Sequence, residues 1–405
     1  MRRTTKKLLT VTVATALCAP MAAMATNGYF GHGIGMKSMG MGGAGIAMAE
    51  DALASATNPA AAAAVGNRID FGLNLFMPDR EAKISGAGGF PNDTFDGNET
   101  AIFPIPEFGY NRDLGNDMAF ALTVVGRGGM NTDYDKPIFG TSKAGIDLAQ
   151  LYISPTFAMK VNNDHSFGAT LNLIYQRFKA DGLEGFGISS GTGYDSSTGY
   201  SLGLGWSGKF SPTVTGGATY TTKANMSDFG KYDGLFAEEG GFDIPATAGV
   251  GVAFEANPDV TVAVDVTKIY YSEVKSIANP LVVPPNLGAN NGAGFGWEDM
   301  TVFKLGVSWK YQSDLVLRAG WNRGKNPIPD SETFFNILAP GVVEDHLTIG
   351  ATKTLADGAE LTFMFMHALE KEVKGSGSIP AGFGGGEADI KMSQNAIGIA
   401  YGWDM

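Results

Sequence analysis

Cysteine is almost missing from this sequence, with Cys18 the one copy in 405 residues. That excludes a disulfide framework and a cysteine-built zinc centre. Histidine is scarce too, and His32, His165, His346 and His367 show no metal-ligand spacing. Charged side chains make up 17% of the chain, against about 25% in ordinary soluble domains. Low charge does not mark disorder, and no Gly-X-Y period marks a collagen. Basic residues are the minority, 29 Lys+Arg against 41 Asp+Glu, which argues against nucleic acid as a partner. Long apolar runs are absent after residue 25, so no segment reads as a membrane-spanning helix. Glycine, in contrast, is abundant at 57 residues, about twice average usage. Such a chain fits many closely packed strands, including a large β-barrel, better than the two or three soluble domains its length suggests.

The first 25 residues read as an address. Arg2, Arg3, Lys6 and Lys7 form a basic start, Leu8 to Ala19 a short apolar core, and Ala23-Met24-Ala25 a small-x-small cleavage pattern. This predicts a secretory signal peptide over 1–25, with the mature chain starting at Thr26. The apolar core is too short for a transmembrane anchor. Leu17 stands before Cys18 where lipoprotein processing wants a small residue. Removing the segment leaves 25 basic and 41 acidic residues, a net charge of −16.

Alternation then decides between a secreted soluble protein and a membrane barrel. Phe303, Leu305, Val307, Trp309 and Tyr311 share one parity, while Val302, Lys304, Gly306, Ser308 and Lys310 share the other. Period two with one large apolar face is a strand whose apolar face is buried, here in lipid. Fourteen such segments are predicted, at 68–78, 101–112, 117–127, 147–161, 165–180, 197–210, 213–224, 245–256, 258–272, 298–311, 313–324, 344–355, 358–373 and 388–403. Tight turns such as Asn162-Asn163-Asp164, Ser211-Pro212 and Asn257-Pro258 alternate with long connections, including 79–100, 128–146, 181–196, 225–244 and 273–297. Outer-membrane barrels have this pattern of short periplasmic turns and long outer loops. Trp206, Trp297, Trp309, Trp321 and Trp403 lie near predicted strand ends, as an interfacial aromatic girdle would. Residues 26–67 lack the strand pattern. They are Gly-, Met- and Ala-rich, which suits a filler for a lumen too wide for its own side chains.

Catalytic motifs are matched only by chance. Gly40-x-Gly42-x-x-Gly45 has no strand before it. Gly203 to Lys209 approaches a phosphate loop but has Phe210 at the metal-binding position. Gly187-x-Ser189-x-Gly191 lies in a long loop. None has the structural context its chemistry needs.

Several blocks, taken in order, carry a resemblance. Thr26-Asn-Gly-Tyr-Phe, Gly43-Ala-Gly-Ile-Ala, Glu50-Asp51-Ala52 and the Asn58-Pro59-Ala60 tripeptide precede the first strand. Gly296-Trp-Glu-Asp299, Leu317-Arg-Ala-Gly320, Asn326-Pro-Ile-Pro329 and His346-Leu-Thr-Ile-Gly350 follow. Together they resemble the FadL/TodX family of outer-membrane transporters of long-chain fatty acids and aromatic hydrocarbons. The resemblance implies an all-β fold: a fourteen-stranded antiparallel transmembrane β-barrel over 68–405, plugged by an N-terminal hatch over 26–67. It also implies a kink in the third strand that opens the wall sideways, expected here where Gly126, Gly128 and Gly129 end that strand. The implied partners are hydrophobic small molecules and outer-membrane lipid. The chain would act as a monomer with no cofactor, no metal and no enzymatic activity.

Candidate ligand-binding residues are Tyr29, Phe30, Ile34, Met36 and Met39 of the hatch and Leu235, Phe236, Phe242, Leu281, Val282 and Val283 of the loops. The sequence also departs from the family. Gly182 and Ala293 fall where its fatty-acid transporters carry carboxylate-binding Arg and Lys. Arg177, Lys179 and Arg318 are the lumen-polar residues that could stand in. The loop 181–196 is short for a fatty-acid transporter, which leaves a neutral hydrocarbon open. The final Trp403-Asp404-Met405 lacks a terminal aromatic, for which Tyr401 and Trp403 can substitute. A general porin, a lipid-modifying barrel enzyme and a structural adhesin are the competing classes. Mostly Gly, Ala, Ser and Thr at lumen positions disfavour the porin, and no converging Ser/His/Asp set supports the enzyme.

Overall fold

The computed structural model describes residues 26–405, so the expected signal peptide lies outside the described residues. Fourteen antiparallel strands form the wall: β1 (Arg68–Ser85), β2 (Phe103–Gly115), β3 (Met118–Pro137), β4 (Lys143–Lys160), β5 (His165–Asp181), β6 (Asp195–Ser211) and β7 (Val214–Thr221) make the first half. The second half is β8 (Thr247–Asn257), β9 (Val260–Ile269), β10 (Met300–Gln312), β11 (Leu315–Gly324), β12 (Asp345–Thr354), β13 (Glu360–Val373) and β14 (Glu387–Asp404). Each pairs with its sequence neighbour, and β14 returns to β1, from Arg68 opposite Asp404 to Ser85 opposite Glu387. Closure leaves no free edge, the condition for a sheet to sit in hydrocarbon. Two short strands, Thr94–Asp96 and Asn225–Met226, pair onto β1 and β6.

The period-two pattern faces as expected. Phe303, Leu305, Trp309 and Tyr311 point outward and are exposed, whereas Val302 and Gly306 are buried inward. Phe157, Leu171, Leu204, Val250, Ile349, Phe363 and Ile397 extend this outer apolar band around the barrel. In water each such side chain would forgo roughly 1.5–3 kcal/mol of burial, so the band calls for lipid. The tight turns follow local chemistry. Asn116 and Asp117 take φ of 54° and 61° between β2 and β3, the left-handed pair that a two-residue hairpin needs. Asn162 Oδ1 accepts from Asp164 N and His165 N at 2.9 and 2.8 Å, which closes the β4–β5 turn.

Three strand limits differ from expectation by more than three residues. β1 runs to Ser85, β3 to Pro137, and β4 begins at Lys143. The anticipated connection 128–146 is therefore mostly ladder. Apolar alternation marks where a strand meets lipid, and it stops before the hydrogen bonding does. Asn131, Asp133 and Asp135 continue β3 as polar strand beyond the apolar band. Trp297 is a second correction. It is 4% exposed, lies among the loops and belongs to no girdle.

At the long-loop end the connections fold over the mouth of the barrel. Phe90, Phe139, Phe186, Phe334 and Phe383 come from five different loops and meet ring to ring, as in Phe90–Phe334 at 4.9 Å and Phe139–Phe186 at 5.3 Å. Below them, residues 26–67 run inside the wall.

Candidate functional site

The inward face of the wall is built to receive the N-terminal segment. Gly42 N donates to Thr348 Oγ1 at 2.8 Å, and Asn322 Nδ2 donates to the Gly42 carbonyl at 3.1 Å. Asp265 Oδ2 accepts from Gly45 N and Ile46 N, and Asn111 Nδ2 donates to Ala62 O and Gly66 O. These partners lie on β12, β11, β9 and β2, so the segment is tied to wall strands around the barrel. Ion pairs add to this: Lys37–Glu360 at 2.7 Å and Arg318–Glu50 at 2.8 Å. In the Asn58-Pro59-Ala60 tripeptide, Asn58 Nδ2 donates to Ile46 O and Trp206 O, and Asn58 Oδ1 accepts from Ala60 N. A Cβ on Gly205 would sit 2.1 Å from Asn58 Oδ1, and one on Gly168 would sit 2.3 Å from the Pro59 carbonyl carbon. Glycine at those two wall positions is what lets the tripeptide approach.

Above the segment is a cavity of about 20 Å³ with no polar surface, lined by Tyr29, Met130, Ile146, Leu148, Phe178, Phe236, Phe242, Ile277, Phe295, Trp297 and Ala339. Trp297 Nε1 donates to Asn336 Oδ1 at 2.6 Å, and Asn336 Nδ2 donates to Phe295 O, which fixes the indole against Tyr271 at 5.1 Å. Three of the expected ligand residues, Tyr29, Phe236 and Phe242, meet here. Leu235 is buried beside them in the same apolar cluster without lining the space. Phe30 stacks on Tyr29 at 4.9 Å and, with Ile34, lines a second cavity of about 90 Å³ between the segment and β7–β10.

The remaining candidates lie elsewhere. Met36 packs on the wall, its Sδ 2.1 Å from where a Cβ on Gly398 would lie, and Met39 is buried without lining either cavity. Leu281, Val282 and Val283 sit in the loop layer, with Val282 and Val283 exposed and Val283 against Gly382. Sequence reading missed Trp297, Phe178, Ile146 and Leu148. For the three strand residues a signal existed: they are large apolar side chains at inward parity, as are Phe76, Phe103, Val302 and Met364 elsewhere on the wall, so the signal does not single them out.

Two of the three residues expected to be lumen-polar face the other way. Arg177 and Lys179 share the parity of exposed Leu173 and Tyr175, while Gln176, Phe178 and Ala180 are buried inward. Arg177 pairs with Asp147 at 3.4 Å and lies 4.7 Å from the Tyr194 ring; Lys179 pairs with Asp181 at 2.6 Å. The signal was legible, because the strand begins at His165 as expected and Arg177 and Lys179 continue the outward parity of Phe167, Leu171, Leu173 and Tyr175. Arg318 does face inward, but its guanidinium is committed to Glu50 and Thr352.

The expected strand end at Gly126, Gly128 and Gly129 is instead a bulge within β3. Pairing with β4 shifts by one residue between Gly126 and Gly128, as a β-bulge does. Pairing with β2 stops at Glu107–Val125, although β2 continues through Phe103-Pro104-Ile105-Pro106. The two prolines carry no N–H for a neighbouring ladder. Past the bulge the β3 backbone bonds inward instead: Gly31 N donates to Arg127 O at 3.2 Å, and Gly129 N to Tyr29 O at 2.9 Å. Wall pairing resumes higher up, where Asp133 N donates to Gly97 O and Glu99 N to Asp133 O. Fully buried Arg80 spans that upper edge, donating to Asn131 O at 2.8 Å and Thr100 O at 2.6 Å. The break is thus a bounded gap in the ladder, with Ile105 packed against Gly126 across it. Phe103, Pro104 and Asn131 also border an open cleft of about 600 Å³ that reaches Arg177 and Lys179.

A closed fourteen-strand wall, an interior segment and an apolar cavity next to a break in the ladder correspond to one family model. The family described as outer membrane protein transport protein (OMPP1/FadL/TodX) matches residues 12–404. The chain belongs to the OMPP1/FadL/TodX family. It is an outer-membrane β-barrel of a family of transport proteins. Solved relatives of this family share the fold. The Pseudomonas putida toluene transporter TodX is 19% identical with TM-score 0.69, over 92% of this chain and 99% of that one. A Pseudomonas aeruginosa FadL homologue is 17% identical with TM-score 0.72, over 93% and 99%. The Ralstonia pickettii toluene transporter TbuX is 18% identical with TM-score 0.65, over 92% and 99%. No curated protein sequence matches the chain.

Proposed function

We propose that this protein carries hydrophobic molecules across the outer membrane passively, with residues 26–67 as a hatch and the β2–β3 window as a sideways exit into the bilayer. The observation that carries the reading is the ladder break, where β3 gives up its bonds to β2 and bonds Tyr29 and Gly31 instead. A hydrophobic molecule gains from apolar burial and loses by crossing water. A route from the phenyl-lined mouth, past the apolar cavity at Tyr29 and Trp297, to a window facing lipid keeps it out of the aqueous periplasm throughout. The chain needs no energy source for such a downhill path. Toluene and long-chain fatty acids are the cargo classes that its relatives suggest.

A disulfide staple tests the window. A Cβ on Gly126 would lie 2.9 Å from Ile105 Cγ2, which puts the two Cβ atoms within about 4.4 Å, inside disulfide reach. No cysteine stands after residue 25 to interfere. In the Ile105→Cys/Gly126→Cys double variant, uptake of radiolabelled toluene by cells is expected to fall to background when oxidised and to return on reduction. Binding to the detergent-purified protein stays unchanged, because the cavity is elsewhere. Wild-type uptake with the bond formed would remove the sideways route and favour passage through the hatch.

A further inference from the structure

His32 and His346 meet where the interior segment touches the wall, and both are fully buried. Their rings lie 6.0 Å apart, centre to centre, and 12° from parallel. His32 Nε2 faces the Met39 carbonyl at 3.3 Å. Its Nδ1 and both ring nitrogens of His346 have no hydrogen-bond partner among the described residues. Cross-strand from His346 stand Asn322 of β11 and Ala368 of β13, neither of them ionisable. The charged groups around the pair supply no counter-ion. Lys304 of β10 acts on both rings and is a cation. Asp265 faces Lys304 from β9 and gives Oδ2 to the amides of Gly45 and Ile46. Arg127 of β3 borders the same cavity as Lys304. Asp345 turns to Arg323 and Trp321, His367 of β13 turns to Asn395, and Lys37 of the segment is bound to Glu360.

A neutral imidazole suits such a place and an imidazolium does not, because it would be desolvated, unpaired and near a second cation. Burial, then His346 and Lys304, hold the His32 ring down to about 3 from its ordinary 6.5. A ring that binds its proton less tightly in the folded chain than in the unfolded one costs stability as pH falls, here from about 6.5 towards 3. Position gives that loss a consequence. Gly31, one residue before His32, donates to Arg127 O at the ladder break, and Gly43 packs on the His32 carbonyl. We propose that His32 and His346 form an acid-released latch: protonation of either ring drives residues 31–43 off β12 and frees Gly31 from the β3 bulge. This rests on the hatch reading above and adds the condition under which the hatch opens. With an ordinary imidazole in the open state, His32 alone raises the open-to-closed ratio about a hundredfold at about pH 4.5.

Planar-bilayer conductance of the full-length protein between about pH 7.5 and about pH 4.5 tests this, with a form lacking residues 28–45 as the control. Wild type is expected to open reversibly as pH falls across that range. His32→Gln and His346→Gln each weaken the response, and the double variant loses it. The pairs Lys37–Glu360 and Arg318–Glu50 are intact in every variant, so a response that arises from their carboxylates survives in the double variant and overturns the latch. A wild type that stays closed at the acid end while the deleted form conducts also overturns it, and the hatch reading then stands. A deleted form that conducts no more than wild type fails the hatch reading and the latch together. If the double variant misfolds, deuterium exchange at the histidine C2 position of wild type, read by mass spectrometry, decides. Protonation of His32 is expected to track the opening, at a midpoint below about 6.5. Protonation at that ordinary value with the channel still closed overturns the latch.

Discussion

Asn58 and Asp51 hold the interior segment 26–67 in different ways, and each predicts a distinct result. Asn58 is fully buried and makes three hydrogen bonds, two of them donated to carbonyls of residues 46 and 206. Asn58→Ala strands those carbonyls at about 1–3 kcal/mol each. The expected outcome is a clearly lower heat-modification temperature in gels, with larger channel events in planar bilayers as the hatch loosens. Asp51 is a buried acid whose carboxyl is pushed up to about 7, first by burial and then by the neighbouring Asp70 carboxylate. A folded state that holds its proton more tightly than the unfolded chain loses stability as pH rises. For Asp51 that loss runs from about pH 4, its ordinary range, to about pH 7 and is complete above. Asp51→Asn keeps the Oδ1 that accepts from Leu53 N. Its stability gain over wild type should therefore grow between pH 4 and 7 and level off beyond, measured as melting temperature in detergent. A gain independent of pH would assign the effect to something other than ionisation.

Among the elements, β3 carries the most consequence. Its bulge converts a wall strand into a partner for the hatch, and glycine is required there for contact rather than for looseness. A Cβ on Gly128 would meet Gln150 Oε1 at 2.5 Å and Tyr29 O at 3.1 Å. Gly128→Val therefore pushes on the hatch rather than straightening the strand. It should lower the melting temperature and raise conductance, whereas the cysteine staple between Ile105 and Gly126 should do neither. Arg80 forms the upper edge of the same window, bonded to residues on both sides. Arg80→Met leaves the Asn131 and Thr100 carbonyls unmet. Hydrogen exchange measured by mass spectrometry should then speed up over 97–100 and 129–133, with β10–β13 unchanged.

At the scale of the whole molecule, the wall and the interior segment 26–67 interlock through residues far apart in sequence, such as Lys37 with Glu360 and Arg318 with Glu50. The ring of fourteen strands sets the lumen width, and the segment 26–67 occupies it. Deleting 28–45 while keeping the strands should yield a barrel that still shifts on heating in gels but conducts ions strongly in planar bilayers. Unchanged conductance would mean that the loop layer around Phe334 and Phe139 seals the pore by itself.

The sequence by itself determined the strand count, the antiparallel order, the lipid face and the chemistry of the tight turns. Each of these is written in local period-two patterning or in two or three adjacent residues such as Asn116 and Asp117. The family resemblance named Tyr29, Phe236 and Phe242 among eleven ligand candidates, and these three line one cavity. The resemblance placed the break at Gly126, Gly128 and Gly129; tertiary structure alone decided that it is a bulge within a longer strand, held by Tyr29 and Gly31 about a hundred residues earlier. It decided that Trp297 lies in the apolar cavity rather than at a membrane interface. It gave the cations their partners as well: Arg177 to Asp147, Arg318 to Glu50, and Arg127 and Lys304 to a shared space. The physical reason is common to all three. Local parity gives the face a strand residue takes, but which groups meet across the lumen depends on closure of the whole barrel around residues 26–67, and no local pattern carries that.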